Sequence, residues 1–263
     1  MFVRVNARPA ARYVHPRASE ISDQEADEGF NLEVASGAAK NYLQWVADLC
    51  APHLGASVLE VGAGRGSVTQ HLLEGRHVVA TDLSESSVEA MRGRFVDSPN
   101  VEVLQADLRT WDPGRTFDSL LMVNVLEHIR DDVGALTSLR RFVRPGGSIV
   151  VYVPAMNGLY GKWDLHVRHL RRYSKWRLRE VMRQASLDPV ELRYANMFAM
   201  PAWAMFSMLM RFDADGRNSL SIWDRTFVPA TRMLESRVRV PFGLNLLGVG
   251  RVSAADADGA PTC

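Results

Sequence analysis

Between Ser57 and Val153 short apolar runs alternate with stretches of helical spacing, and this rhythm constrains the fold more than any other feature. Ser57-Val58-Leu59-Glu60-Val61 reads as a strand running into Gly62, and His77 to Thr81 as a second strand closed by Asp82. Val101 to Gln105, Phe117 to Val123 and Ser148 to Val153 follow as three more. Helices are predicted between them over Val68 to Leu73, Glu85 to Val96 and Asp132 to Val143, the last ended by Arg144-Pro145-Gly146-Gly147. Strands that are apolar throughout need cover on both faces, and strands separated by helices pair in parallel. The pattern therefore predicts an α/β fold: a Rossmann-like, doubly wound and mostly parallel sheet.

The flanks are less regular. Residues 1–30 show no period and are expected to form a flexible arm, leaving 31–263 as one domain with a lid or insertion over 154–240. Tyr42, Leu43, Trp45, Val46 and Leu49 recur at helical spacing within Leu32 to Leu49. Residues 155–173 read as a loop or short lid. Ser174 can cap a helix with Leu178, Val181, Met182 and Ala185 on one face. Pro189 to Tyr194 is a predicted strand, 196–240 a Met- and Trp-rich helical insertion, Asn245 to Val252 the last strand and 253–263 a polar tail. The methionines and aromatics of the insertion (Met197, Met200, Trp203, Met205, Phe206, Met208, Met210) suit a core or a homodimer interface, or an adaptable wall for an apolar substrate.

Charge and cysteine content narrow the function. A formal net charge of +1 excludes a globally basic, nucleic-acid-coating surface. Two cysteines, Cys50 and Cys263, cannot build a disulfide framework or a Cys-rich zinc site, which favours a reducing, cytoplasmic setting. No apolar h-region opens the chain, and Phe198 to Met210 is about half the length that spans a bilayer. No integral membrane segment is expected; contact with a membrane surface stays open.

Glu60-Val61-Gly62-Ala63-Gly64-Arg65-Gly66 stands where the first strand hands over to a helix. Glycines there admit positive φ and let the backbone approach a ligand closely. Asp82, at the end of the second strand, is placed to accept both hydroxyls of a ribose. The two features together signal a nucleoside cofactor. A dinucleotide fingerprint would want glycine at 67, which is Ser67, and no Gly-Lys-Ser/Thr follows to make a phosphate loop. A plain glycine turn without ligand is the bland alternative.

These residues, with Asp82-Leu83-Ser84, Ala106-Asp107-Leu108, Asn124-Val125-Leu126-Glu127-His128-Ile129 and Arg144-Pro145-Gly146-Gly147, resemble the successive motifs of class I S-adenosylmethionine-dependent methyltransferases. Leu159-Tyr160-Gly161, His169-Leu170-Arg171-Arg172-Tyr173 and Pro241-Phe242-Gly243-Leu244 are similar to bacterial members found among glycan and secondary-metabolite pathways. The resemblance implies S-adenosyl-L-methionine as cofactor. Gly62, Ala63 and Gly64 would pass under its methionine part, Glu60 would help hold its amino group, and Asp82 would take its ribose hydroxyls. Leu83 would pack on adenine with Asp107 and Leu108 near its amino edge, and Asn124 and Val125 would line it toward the methyl. Leu83 and Leu108 could instead be plain core, and Asp107 a helix N-cap.

A methyltransferase must hold a nucleophile in line with the methyl, exclude water and, for a hydroxyl acceptor, handle a proton. His128, His166 and His169 are the candidate catalytic groups, with structural hydrogen bonding or loop packing as their alternatives. Tyr160, Trp163, Arg171, Arg172 and Tyr173 are candidate substrate contacts, the arginines as a clamp for carboxylate or phosphate. Eight Lys/Arg and two acids lie between Lys162 and Arg183, most of them expected on the solvated face of the 174–186 helix. Glu127-His128 invites a metal, but Asn124 stands where similar O-methyltransferases of ubiquinone biosynthesis carry a carboxylate, and no metal is expected. The sequence thus predicts methyl transfer to a small-molecule acceptor, O favoured over N or C, with no nucleic-acid partner. The alternatives are a non-catalytic S-adenosylmethionine-binding protein and a nicotinamide-dependent oxidoreductase.

Overall fold

The structure, a computed structural model, describes residues 39–107, 110–201 and 216–253, the last with side chains from 224 onward. The N-terminal arm, Leu108, the stretch from Trp203 to Met210, and the C-terminal tail beyond Ser253 with Cys263 lie outside the described residues.

Seven strands form one sheet in the order β3-β2-β1-β4-β5-β7-β6. They are β1 (Ser57–Val61), β2 (His77–Asp82), β3 (Val101–Gln105), β4 (Phe117–Val123), β5 (Val143–Pro154), β6 (Leu187–Ala195) and β7 (Asn245–Val252). The first five pair in parallel; β7 slots antiparallel between β5 and β6. The order reverses between β1 and β4, and in open parallel sheets the crevice at such a switch point, at the carboxyl ends of the strands, is where ligands bind.

Side chains alternate across the sheet into two apolar layers. Leu59, Leu120, Met122, Ile149 and Val151 face α3 (Asp132–Arg140) and α5 (Lys175–Gln184), which contribute Leu136, Leu139, Leu178, Val181 and Met182. Val58, Leu121, Val150 and Leu247 face α1 (Lys40–Cys50) and α2 (Glu85–Arg94), which contribute Trp45, Val46, Leu49, Val88 and Met91. Ser174 caps α5 by accepting the Arg177 N–H, and Leu178, Val181, Met182 and Ala185 are all buried, as their spacing requires.

Three local expectations change. Val68 to Leu73 holds only a single 3-10 turn, Thr69–His71. Beyond it the Arg76 guanidinium takes the Leu72 and Glu74 carbonyls, so these acceptors are satisfied outside a helix. The helix expected to reach Val143 stops at Arg140, because Val143 pairs with Phe117 and starts β5 early. The lid segment is structured: a 3-10 turn (Asn157–Leu159) leads into α4 (Lys162–His166), and an isolated parallel bridge ties Ala155 to Tyr173.

Within the insertion, α6 (Gly216–Glu235) packs on α1. Buried Asp224 accepts the backbone N–H groups of Asn41 and Tyr42 at 3.0 and 2.9 Å, satisfying donors that the first turn of α1 leaves without helical partners. Among the described residues no helix is long and apolar enough to cross a membrane.

Candidate functional site

The glycine loop after β1 has the conformation its composition calls for. Gly62, Gly64 and Gly66 have φ of +67°, +58° and +79°, a region that side chains rarely enter. A Cβ on Gly62 would come within 2.6 Å of Val125 Cγ2, and one on Gly66 would strike the Phe95 ring. The loop is tied to β2: Asp82 accepts the Gly64 N–H at 2.8 Å and the Ser84 N–H at 2.9 Å, and Ala63 N–H donates to Thr81 O at 2.9 Å. One carboxylate therefore sets both the loop and the start of α2.

Glu60 lies beneath the loop, 2% exposed, and its Oε2 has no hydrogen-bond partner. Burial pushes its carboxyl up to about 7, with the Thr69 hydroxyl opposing and Asp82 adding to the rise. A buried acceptor without a donor is costly. The ammonium of an amino-acid ligand is the kind of group that satisfies it, so the residues present fit the methionine end of S-adenosylmethionine.

Leu83 is 64% exposed, which removes the core reading and leaves an apolar side chain on the crevice rim beside Asp82. Asp107 is half-buried and its carbonyl accepts the Thr110 and Trp111 N–H groups, closing a turn. Asn124 is left-handed at φ +53° and donates its N–H to Tyr152 O at 2.8 Å. That turn at the end of β4 brings Val125 against Gly62.

The loop continues through a 3-10 turn, Leu126–His128, into a cluster of titratable groups. Glu127 is fully buried, and both of its carboxylate oxygens lack hydrogen-bond partners. Burial pushes this carboxyl up to about 8, with its own nearby backbone N–H and then Arg172 opposing. His169 arrives from the lid: Arg168, at φ +60°, turns the chain inward after α4, and Leu170 N–H donates to Glu127 O at 2.9 Å. His169 Nε2 then stands 3.7 Å from Glu127 Oε1, and the His169 and His128 rings meet edge-on at 4.9 Å. His128 keeps an exposed edge; the protein packed around it, and then His169, hold its imidazole below the ordinary range.

His169 is aimed by Asp164, a residue the sequence did not single out. The fully buried Asp164 carboxylate accepts from His169 Nδ1 at 2.8 Å, from Arg172 Nε at 2.9 Å and from Gly161 N–H at 2.9 Å. Burial works against its charge, but these partners outweigh it and hold the carboxyl below the usual range. The available signal was compositional: Asp164 is one of only two acids in the basic stretch 162–183.

Arg172, 4% exposed, is committed to Asp164 and to Ala155 O. Tyr173 is fully buried with its hydroxyl on Asp132, so it braces the lid and offers no surface to a ligand. Arg171 bridges Asp132 at 2.7 Å and Arg130 O at 2.8 Å. His166 does not join His169: it sits exposed at the end of α4 with its ring beside Trp163. Tyr160 donates its hydroxyl to His169 O at 2.7 Å. An open cavity of about 680 Å³ lies under the lid, lined by Asn157, Tyr160, Leu165, Leu170 and the arginines 171, 172 and 177.

Comparison with known proteins bears on the family and the fold. A family model described as a methyltransferase domain matches residues 58–147. Trans-aconitate 2-methyltransferase of Azoarcus sp. (strain BH72) is 35% identical over 102 residues, 38% of this chain and 39% of that protein. The match thus spans about two fifths of that relative's length. The ubiquinone biosynthesis O-methyltransferase of Thiobacillus denitrificans is 30% identical over 168 residues, 57% of this chain and 72% of that protein. A Haloferax volcanii methyltransferase solved with its Trm112 activator superposes with a TM-score of 0.60 at 20% identity, covering 88% of this chain and 97% of that one. Coclaurine N-methyltransferase bound to N-methylheliamine and SAH gives 0.54 at 16% identity, over 78% and 71% of the two chains.

Proposed function

Because this chain belongs to the class I S-adenosylmethionine-dependent methyltransferases, we propose that it methylates an oxygen of a small-molecule acceptor that carries an anionic group. The observation that carries the reading is the crevice between β1 and β4: a positive-φ glycine loop held by Asp82, over a buried Glu60 with a carboxylate oxygen lacking a partner. When bound, the cofactor supplies a methyl on a sulfonium, whose carbon–sulfur bond breaks with its electron pair left on sulfur.

The chain's own residues supply the rest. Glu60 receives the cofactor's ammonium, Asp82 its ribose hydroxyls, and Leu83 covers its base, while Asn124 and Val125 wall the side toward the acceptor. The cavity beneath the lid is the acceptor's place. Tyr160, Leu165 and Leu170 give it apolar walls for the acceptor's carbon skeleton. Arg171 and Arg177 share the single carboxylate of Asp132, leaving one positive charge in excess at the rim, which supports an acceptor with a carboxylate or phosphate. Glu127, His128 and His169, next to the cofactor crevice, handle the proton that an acceptor hydroxyl must lose; their presence supports O- over N-methylation. His166 has no part in this cluster, and His166→Ala is expected to keep turnover within about twofold of wild type.

Calorimetry tests the reading. S-adenosylmethionine should bind saturably to cofactor-stripped protein and NADH should not; the opposite result would return the oxidoreductase. Production of S-adenosylhomocysteine with any acceptor would dispose of the non-catalytic alternative. Glu60 adds a distinctive signature. Burial pushes its carboxyl up to about 7, and an ammonium beside it favours the ionised form, so binding releases a proton wherever the carboxyl is protonated beforehand. At pH 6 titrations in buffers of different ionisation heat should show about one proton released per cofactor, fading by pH 8. Glu60→Gln should abolish that release.

A further inference from the structure

We propose that Glu127, His128 and His169 form a binding site for one divalent first-row transition ion of the zinc type, set beside the methyl-transfer centre. The inference rests on the methyltransferase reading and adds how the acceptor oxygen is held. One ligand atom from each of the three residues lies within 4.8 Å of the others, close enough for small side-chain adjustments to gather them around one ion. The second observation is independent of this spacing. Glu127 is fully buried, yet neither carboxylate oxygen has a hydrogen-bond partner, and His169 Nε2 stands 3.7 Å away, outside hydrogen-bond reach. A buried carboxylate in that condition is costly unless a cation meets it.

The surroundings orient the donors as a metal site requires. Asp164 accepts the Nδ1 proton of His169, so a neutral imidazole there turns its Nε2 lone pair toward Glu127. This carboxylate–histidine relay is the usual outer support of a metal-bound imidazole. Arg172 balances the charge of Asp164, so the relay adds no unpaired charge. His128 is exposed and gives the ion a way in. Two imidazoles and one carboxylate suit zinc, cobalt or iron(II) rather than magnesium or calcium, which prefer a shell of oxygens. Three protein ligands leave a coordination position open. An acceptor hydroxyl placed there would become more acidic, so with an ion bound the cluster would assist loss of the proton by acidifying the hydroxyl and not by taking the proton itself. The expectation of no metal weighed Glu127, His128 and Asn124 alone; the proposed third ligand comes from the lid.

The test uses tag-free, full-length protein stripped with a chelator and titrated with cobalt(II), followed by visible absorption. The expected result is saturation at one ion per chain, displacement by zinc and no displacement by millimolar magnesium. His128→Asn and His169→Asn should each weaken cobalt affinity by at least the 10- to 100-fold that loss of an outer-shell partner costs. His128 is exposed, so its variant keeps the fold, and an unchanged melting midpoint without metal verifies that. No saturable cobalt spectrum, or one that survives both substitutions, overturns the site. S-adenosylmethionine calorimetry on the same metal-free sample separates the two readings: cofactor binding without cobalt binding removes the metal alone.

Discussion

Asp164→Ala is expected to destabilise the protein by about 3–5 kcal/mol, read as a lower denaturant midpoint at neutral pH. The magnitude follows from what the carboxylate serves. Arg172 has a side chain only 2% exposed, and Asp164 is its ion-pair partner. Removing that partner leaves a buried guanidinium without its counter-charge, a defect far costlier than losing an exposed pair. The same change strips His169 Nδ1 of its acceptor and the Gly161 N–H at the start of α4 of its cap. Because its partners hold Asp164 below the ordinary carboxylate range, the stability it gives is present at neutral pH and is lost as pH falls through that depressed value. A double variant, Asp164→Ala with Arg172→Leu, should recover part of the loss, since removing both partners leaves neither buried and unpaired. A midpoint for Asp164→Ala equivalent to less than about 1 kcal/mol would show that solvent reaches Arg172 and that the lid is not locked as described.

The elements that position the cofactor crevice were legible because their signals are local. Phe117–Val123 announces itself by an almost continuously apolar run, and its observed bounds, like those of Asn245–Val252, match the reading of the sequence. Gly62, Gly64 and Asp82 were legible for a related reason: a turn needing positive φ excludes most residues, and a carboxylate ending the next parallel strand must lie beside it. Where the outcome depends on distant partners, the sequence misleads. Arg171 and Arg172 are conspicuous as adjacent charges, but nothing local says that Asp132 and Asp164 already engage them. His166 and His169 are spaced as neighbours on a helix. The chain instead leaves α4 and reverses at Arg168, sending one imidazole out and the other in. Asp164 carried only a compositional signal, an acid in a basic stretch; that it gathers His169, Arg172 and the Gly161 N–H is a fact of packing that the pattern does not show.

Asp82→Ala should weaken S-adenosylmethionine binding at least about 100-fold, or about 2.7 kcal/mol, while leaving the sheet intact. Two effects add. The Asp82 carboxylate fixes the glycine loop by accepting the Gly64 N–H and fixes the entry to α2 by accepting the Ser84 N–H. Without it the loop no longer waits in the shape a ligand needs, and each charge-assisted hydrogen bond of this kind contributes about 1.5–3 kcal/mol. The carboxylate also presents the lone pairs proposed to receive the ribose hydroxyls. Folding should suffer less, because Asp82 is only half-buried at the crevice edge and water can take over the freed amides. The gap between the two measurements is the informative quantity: a large fall in affinity with a midpoint shift worth about 1 kcal/mol marks a residue built for the ligand. Asp82→Asn keeps one carbonyl acceptor without the charge and should fall between alanine and wild type. If Asp82→Ala instead binds within about threefold of wild type, loop preorganisation and ribose recognition both belong to other residues, and the assignment of this crevice end fails.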